Sequence, residues 1–237
     1  MTDPKNTSPA GTGGKSLKDQ YRWQLWLIIA VNSLFFYGVV QANAIKVDGL
    51  RAIFTDTSNL APIGIALVIS TVLNGFLSAD NKARLVFLRW RNPLPGHRVF
   101  SEYAVSDPRI DLAELFKIHG GDLPFDPVEQ NRVWYRMFKS IEKEPAINQA
   151  HRDFLLLRDY TGLSFLFFLF LGAAGLCAIP SAKVGATYLV VLALQYVVVR
   201  QAASNCGIRF ATTVLALKAV SFAGKTVPKK AVSKERL

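Results

Sequence analysis

The chain has 237 residues, of which 51% are apolar, and its formal net charge is +11. Four blocks hold most of the apolar residues and the charged residues lie between them, which is typical of membrane spans and argues against a soluble globular chain. The two cysteines lie at no CxxC or Cys/His spacing, which excludes a metal site built on cysteine.

The N-terminal part predicts a tail and a pair of spans. Residues 1–20 are polar and rich in Gly, Ser, Thr and Pro, and they predict a disordered cytoplasmic tail. Residues 21–78 predict a first transmembrane hairpin, because apolar blocks at 23–40 and 60–77 are each about 18 residues long. The connector between these blocks carries no net charge.

Residues 79–160 predict a helical cytoplasmic insert. With 13 basic and 12 acidic side chains and several aromatic residues, it has the content of a small folded domain that is marginally stable alone. A first helix at 82–91 is expected to continue the second span out of the bilayer. A second helix is expected to begin at Asp107–Pro108 and to stop at Gly120–Gly121.

A third helix of the insert has the clearest signals. Asp126 is the predicted N-cap, Pro127 occupies the first helical position and Glu129 follows at the third. Apolar residues then recur at helical spacing until Pro145 ends the helix. From about residue 146 the pattern is again helical, and it is expected to enter the third span without a break.

Residues 161–200 predict a second transmembrane hairpin. An uncharged block at 161–179 and a block at 184–199 flank a tight turn at Pro180–Ser181. The small residues at 172–175 predict a closely packed helix seam, either within the chain or between subunits.

The basic residues predict the orientation of these spans. Residues 81–101 include five basic side chains and no acid, and the segment after the fourth block is also basic. Because Lys and Arg hold span ends on the cytoplasmic side, both termini and the insert are expected in the cytoplasm of a bacterial inner membrane. Residues 201–237 then predict a cytoplasmic amphipathic helix, extending the fourth span or lying on the membrane surface, and a basic tail. The net charge therefore needs no nucleic acid partner to explain it.

The expected fold class is all-α: a polytopic membrane protein with four transmembrane helices in two pairs, separated by the helical insert. Three amides lie inside predicted spans: Asn32, Asn74 and Gln195. Polar groups at such positions turn away from lipid, so they predict either hydrogen bonds between helices or a polar pore or ligand route.

A basic and aromatic run follows the second span directly, and anionic lipid headgroups are its expected ligand, ahead of a nucleotide or RNA. Further basic and aromatic residues on the third helix of the insert extend this prediction to a cytosolic protein partner. The candidate lipid-binding or partner-binding residues are Arg84, Arg89, Trp90, Arg91, Arg98, Arg132, Trp134 and Arg136.

No nucleophile elbow, Walker loop, dinucleotide fingerprint or HExxH motif is present. The spacings of His97, His119 and His151 match no metal motif. The sequence therefore predicts no catalytic residue, no metal site and no cofactor.

Two stretches, RWRNPLPGHRVFSEYAVSDPRIDL and PFDPVEQNRVWYRMFK, resemble a family of uncharacterised small bacterial inner-membrane proteins. The resemblance covers about residues 89–139 and the layout of two spans, a cytoplasmic insert and two more spans. It implies no catalytic residues, and it implies a role in defence against phage, because such proteins are often carried on defence islands.

Two functions of different classes remain open. The first is a non-enzymatic membrane protein that oligomerises through its spans and senses or binds a cytosolic partner, as a membrane component of anti-phage defence. The alternative is a channel or transporter for a small solute or ion, which requires the polar faces of the spans to converge on one axis. A membrane enzyme ranks third.

Overall fold

The computed structural model describes residues 17–42 and 60–226, which form helices and turns and no strand. Residues 1–16 of the predicted tail, 43–59 of the first connector and 227–237 of the basic tail lie outside the described part. Between α3 and α4, residues 95–106 form consecutive short helical turns. The main helices are α1 (Leu17–Val40), α2 (Leu60–Phe76), α3 (Ala79–Phe87), α4 (Leu112–His119), α5 (Pro127–Ile141), α6 (Pro145–Ala178) and α7 (Ala182–Thr226).

Three of the described helices are long and apolar enough to cross a membrane: Asp19–Val40, Pro145–Ala178 and Ala182–Ser221. They coincide with the first, third and fourth predicted spans. The second predicted span, α2, has only 17 residues, all uncharged. At about 1.5 Å per residue it is about 26 Å long, slightly less than a bilayer's hydrocarbon core of about 30 Å.

Large apolar side chains cover the outside of these helices. Leu34 on α1, Phe76 on α2 and Val198 on α7 are 70%, 81% and 65% exposed. A water-facing surface rarely carries so much contiguous apolar area, so this exposure is compatible with lipid around the helices.

The seam predicted from small residues lies within the chain, between α6 and α7. Pro180 and its neighbours form the turn, and the two helices then run side by side. A β-carbon added at Gly175 would lie 2.9 Å from the ring of Tyr188. Tyr188 cannot easily withdraw, because its ring also contacts Phe36 of α1 at a centroid distance of 5.5 Å. The absence of a side chain at Gly175 therefore sets the helix separation.

A hydrophobic core formed by residues of the insert defines the folded domain, and α7 completes this core. Its buried residues include Val99, Leu115 and Phe138 from the insert, together with Phe210 and Val214 from α7. The predicted insert, 79–160, is thus not the whole domain. The predicted amphipathic segment after residue 200 extends the fourth span as part of one 45-residue helix, and its apolar face packs against the insert.

Two predicted helix starts in the insert were wrong. The first helix does not continue α2, because Ser78 accepts a hydrogen bond from the Asn81 backbone N–H and caps a separate helix, α3. The second begins at Leu112 rather than near Pro108, because the side chain of Asp111 caps the N–H groups of Ala113 and Glu114.

Other local predictions are confirmed. Asp126 accepts a hydrogen bond from the Glu129 N–H at 2.9 Å and caps α5. Gly120 ends α4 with φ +79°, a conformation that favours glycine. α6 runs unbroken from Pro145 to Ala178, so domain and span share one helix.

The α6–α7 seam can be tested with two glycines that face it differently. Gly175→Ala would press a methyl group into the Tyr188 ring, whereas a β-carbon at Gly185 meets its nearest atoms at ordinary distances of 3.6–3.8 Å. We expect Gly175→Ala to be less stable than Gly185→Ala by about 1–3 kcal/mol, the usual overpacking penalty. Thermal unfolding of the detergent-solubilised protein measures this, and equal melting temperatures would refute the seam.

Candidate functional site

The most unusual group in the structure is the buried carboxylate of Asp159 on α6. Lys82 Nζ of α3 donates to its Oδ1 at 3.0 Å, and the Tyr21 hydroxyl of α1 donates to its Oδ2 at 3.1 Å. The Lys82 and Asp159 side chains are 7% and 3% exposed. One carboxylate thus joins three helices through a buried ion pair. We call Tyr21, Lys82 and Asp159 the junction site, because it lies where the spans meet the folded domain.

A second cation lies beside the same oxygen. Arg158 Nη2 is 3.3 Å from Asp159 Oδ1, so Lys82 and Arg158 share one acceptor atom. Arg158 also lines a cavity of about 640 Å³ inside the domain, together with Trp134 and Phe210. Through Arg158, the junction site is in contact with the domain interior.

Local structure explains why Lys82 reaches Asp159. The Ser78 cap starts α3 afresh, and Lys82 then lies in its first turn. Two side chains of α7 hold the other end of α3: the Tyr196 hydroxyl donates to the Leu85 carbonyl at 3.0 Å and Arg200 Nη1 donates to the Val86 carbonyl at 3.3 Å. The lysine is therefore fixed by α3, which is itself fixed by α7.

A cavity of about 400 Å³ opens beside the junction site, between α1, α2 and α6. Asn74 lines it, and its Oδ1 is buried without a hydrogen-bond partner among the described atoms. A β-carbon added at Gly162 would lie 2.6 Å from that oxygen, so a side chain there would force the Asn74 amide to turn away. An unsatisfied buried acceptor is rare in proteins and marks a place where a donor group or water is accommodated. The other residues lining this cavity include Asp19, Arg22, Trp26 and Thr71.

The three predicted intramembrane amides make separate contacts. Asn32 Nδ2 donates to the Ile28 carbonyl of its own helix at 2.9 Å, and Gln195 Nε2 donates to the Tyr160 hydroxyl at 3.1 Å. Of the three, Asn74 lines the junction cavity. The amides therefore do not share one polar route through the described part of the chain.

The predicted lipid-binding run divides into two groups. Arg84, Arg89 and Trp90 line one cavity of about 390 Å³ beside Phe165 of α6, and Arg91 is exposed next to them. The side chain of Arg98 is only 14% exposed. It donates to the Asn92 carbonyl at 3.1 Å and pairs with Glu102, so it fixes the turn instead of facing lipid.

The three candidate binding residues on α5 also fall into two groups. Arg132 and Arg136 lie on the exposed face, 2.6 and 4.0 Å from Glu129. Trp134 is 8% exposed and its Nε1 donates to the Ala211 carbonyl of α7 at 3.1 Å. Its assignment to an exposed binding surface is corrected: the indole packs in the domain core and ties α5 to α7.

Sequence reasoning missed the junction site. The sequence places Lys82 in the basic and aromatic run that follows the second apolar block, and Asp159 among the mixed charges of residues 79–160. One signal was present: Lys82 is the first base after the second apolar block, and Asp159 is the last acid before the third. Opposite charges at matching ends of two spans are candidates for a pair.

Comparison with models of known protein families, with curated proteins and with solved structures finds no match to this chain.

Removing Asp159 should be far more damaging than removing Lys82. Asp159→Leu breaks the buried ion pair and removes the carboxylate on which Tyr21, Lys82 and Arg158 converge, which costs about 3–5 kcal/mol, whereas in Lys82→Met the carboxylate keeps Arg158 and Tyr21. We expect the double variant Lys82→Met/Asp159→Leu to recover much of the loss. Thermal unfolding in detergent measures all three.

Asp153→Leu, on the same helix but partly exposed, is the matched control for this series. A loss for Asp159→Leu no larger than for Asp153→Leu would show that the buried pair has no special energetic role.

Proposed function

We propose that this chain is a four-span protein of the bacterial inner membrane, with both ends and the folded domain in the cytoplasm. Two features support α2 as a span in addition to α1, α6 and α7: it carries no charge, and it packs against α6. The cluster of basic residues that follows α2 supports the orientation.

We further propose that it works without catalysis, as an oligomeric membrane protein whose cytoplasmic domain binds a cytosolic partner and passes that event to the spans. The observation that carries this proposal is the buried pair of Lys82 and Asp159 at the junction of domain and spans. A change in the domain that displaces either residue acts directly on α1, α3 and α6.

The shared acceptor atom allows the junction site two alternative ion pairs. Because Lys82 and Arg158 both contact Asp159 Oδ1, a domain movement can transfer the carboxylate from one cation to the other. Because the ion pair is deeply buried, pairing with Lys82 and pairing with Arg158 are distinct states, as a switch requires. The continuous helices α6 and α7 then carry the difference into the spans.

The partner surface proposed here is the exposed face of α5, which carries Arg132, Tyr135 and Arg136. Tyr135 is 49% exposed, and an exposed tyrosine between two arginines has the composition of a protein-binding patch. A role in defence against phage stays a prediction from the resemblance.

One observation favours the second candidate, a channel or transporter. Asn74 and the acidic Asp159 line one cavity beside three spans, and a cation or solute could enter there. The separate contacts of Asn32 and Gln195 make this the weaker proposal.

The topology is tested by single cysteines in a Cys177→Ser/Cys206→Ser background. In intact spheroplasts, an impermeant maleimide should label Ser181→Cys, in the α6–α7 turn, and Thr57→Cys, in the connector outside the described residues. Gly121→Cys, on the domain surface, should react only after lysis. If α2 does not cross the membrane, Thr57→Cys and Gly121→Cys will react alike.

The function is tested by cross-linking in native membranes followed by purification of the full chain. We expect a homo-oligomer and a co-purified cytosolic protein. Arg132→Glu/Arg136→Glu should abolish binding of the cytosolic protein and keep the oligomer, because both side chains are exposed and form ion pairs with Glu129 of their own helix. A strict monomer that retains no cytosolic protein would refute the proposal.

A further inference from the structure

The cavity that Arg84, Arg89 and Trp90 line lies between α3, the loop after it and α6. Its volume is about 390 Å³. Two guanidinium groups, Arg84 and Arg89, line it and no acid does, while most of the remaining lining is apolar. The other lining residues are Leu77, Asn81, Leu85, Leu88, Trp90 and Phe165.

The loop that follows α3 is held in an unfavourable backbone conformation. Leu88 and Asn92, at its two ends, both have φ +50°, which is uncommon for a residue other than glycine and especially for leucine. The Leu88 N–H donates to the Arg84 carbonyl and closes α3 in this conformation. Strain of this kind persists where the surrounding structure fixes it, and it clusters at ligand sites.

The same loop exposes large apolar side chains. Leu88 is 62% exposed and Trp90 is 82% exposed. Both exposures are unfavourable in water, but an indole beside the end of a span lies at the depth where tryptophan is enriched in membrane proteins. The loop therefore suits a membrane surface better than an aqueous one.

Arg84 has a donor left for a ligand. Its Nη1 donates to Asn81 Oδ1 at 3.0 Å, but its Nε is buried without a hydrogen-bond partner among the described atoms. Because that nitrogen is fully buried, an acceptor in the cavity that Arg84 lines would meet the remaining N–H groups of the guanidinium. Phosphate oxygens are the strongest such acceptors, because the hydrogen bond is then assisted by charge.

The apolar wall of the cavity is rigid. Phe165 belongs to the uncharged part of α6, and its ring contacts the Tyr196 ring at 5.6 Å. Tyr196 in turn holds the end of α3 through the Leu85 carbonyl. A site with two cations at one wall and hydrocarbon at the other selects an amphiphile over a free anion.

We propose that this cavity binds one anionic phospholipid, with its phosphodiester on Arg84 and Arg89 and the start of an acyl chain against Leu85 and Phe165. Only the assignment to the cytoplasmic leaflet rests on the proposed topology. The lipid would hold α3, and with it Lys82, in place relative to the spans.

The test is native mass spectrometry of the full chain in mild detergent with added phosphatidylglycerol or phosphatidylcholine. We expect the wild type to retain one phosphatidylglycerol molecule in preference to phosphatidylcholine. Arg89→Gln and Arg84→Gln should each weaken its binding about fivefold, the usual effect of one basic residue at a membrane surface. Arg91→Gln removes the same charge from the same loop without touching the cavity and should weaken binding less than twofold.

The possible results distinguish a specific lipid site from diffuse charge attraction and from a site for a free anion. Equal losses for Arg91→Gln and Arg89→Gln would show diffuse attraction and overturn the site, as would equal retention of both lipids. Displacement by inorganic phosphate at concentrations near that of the lipid would show a free-anion site and also overturn it. If Arg84→Gln fails to fold, the exposed Arg89 carries the test. Oligomers and cytosolic proteins are not needed, so failure of the proposed function leaves this result unaffected.

Discussion

The burial of one carboxylate constrains the rest of the structure. An unpaired charge at the Asp159 position would be prohibitively costly, and the fold offsets it with Arg158 on the same helix and with Lys82 from another element. Lys82 reaches the carboxylate from α3, which the Ser78 cap begins as a helix separate from α2. Tyr21 must then lie against the second carboxylate oxygen, which fixes the start of α1. The relative positions of three helices follow from one requirement.

The second constraint is that domain and spans share their helices. α7 contributes apolar residues to the seam with α6 and, further along, to the core of the domain. Two hydrogen bonds tie this second half of α7 to the insert. Trp134 donates to the Ala211 carbonyl, and Arg109, which also pairs with Asp107, donates to the hydroxyl of the buried Thr212. The Arg109 hydrogen bonds hold the pKa of Asp107 well below its usual range, so this link persists at neutral pH and weakens only in strong acid. A domain built in this way cannot move independently of the spans.

Local signals allowed much of this fold to be predicted from the sequence. The Asp126 cap, the turn at Pro180 and the uncharged block of α6 depend on residues close in sequence, and each lies where it was expected. The pair of Lys82 and Asp159 is separated by 77 residues, and no periodicity encodes it. The prediction that Trp134 lies on a binding surface was wrong for a related reason. A tryptophan between two arginines gives the same sequence pattern whether it is exposed on a binding surface or faces the core from an amphipathic helix. Only the packing of α7 distinguishes these cases.

Three departures from ordinary protein chemistry lie on neighbouring elements. The unsatisfied Asn74 oxygen, the unsatisfied Arg84 Nε and the strained Leu88 lie on consecutive elements, from the end of α2 to the end of α3. A sequence selected for stability alone would remove such features with single substitutions, and their position along two cavities supports a site there. α3 has one face on Asp159 and the other on the basic cavity, so the contents of that cavity and the state of the junction act on the same nine-residue helix. A lipid at one face and the carboxylate at the other would together set the position of Lys82, which makes α3 the element through which membrane and domain affect each other.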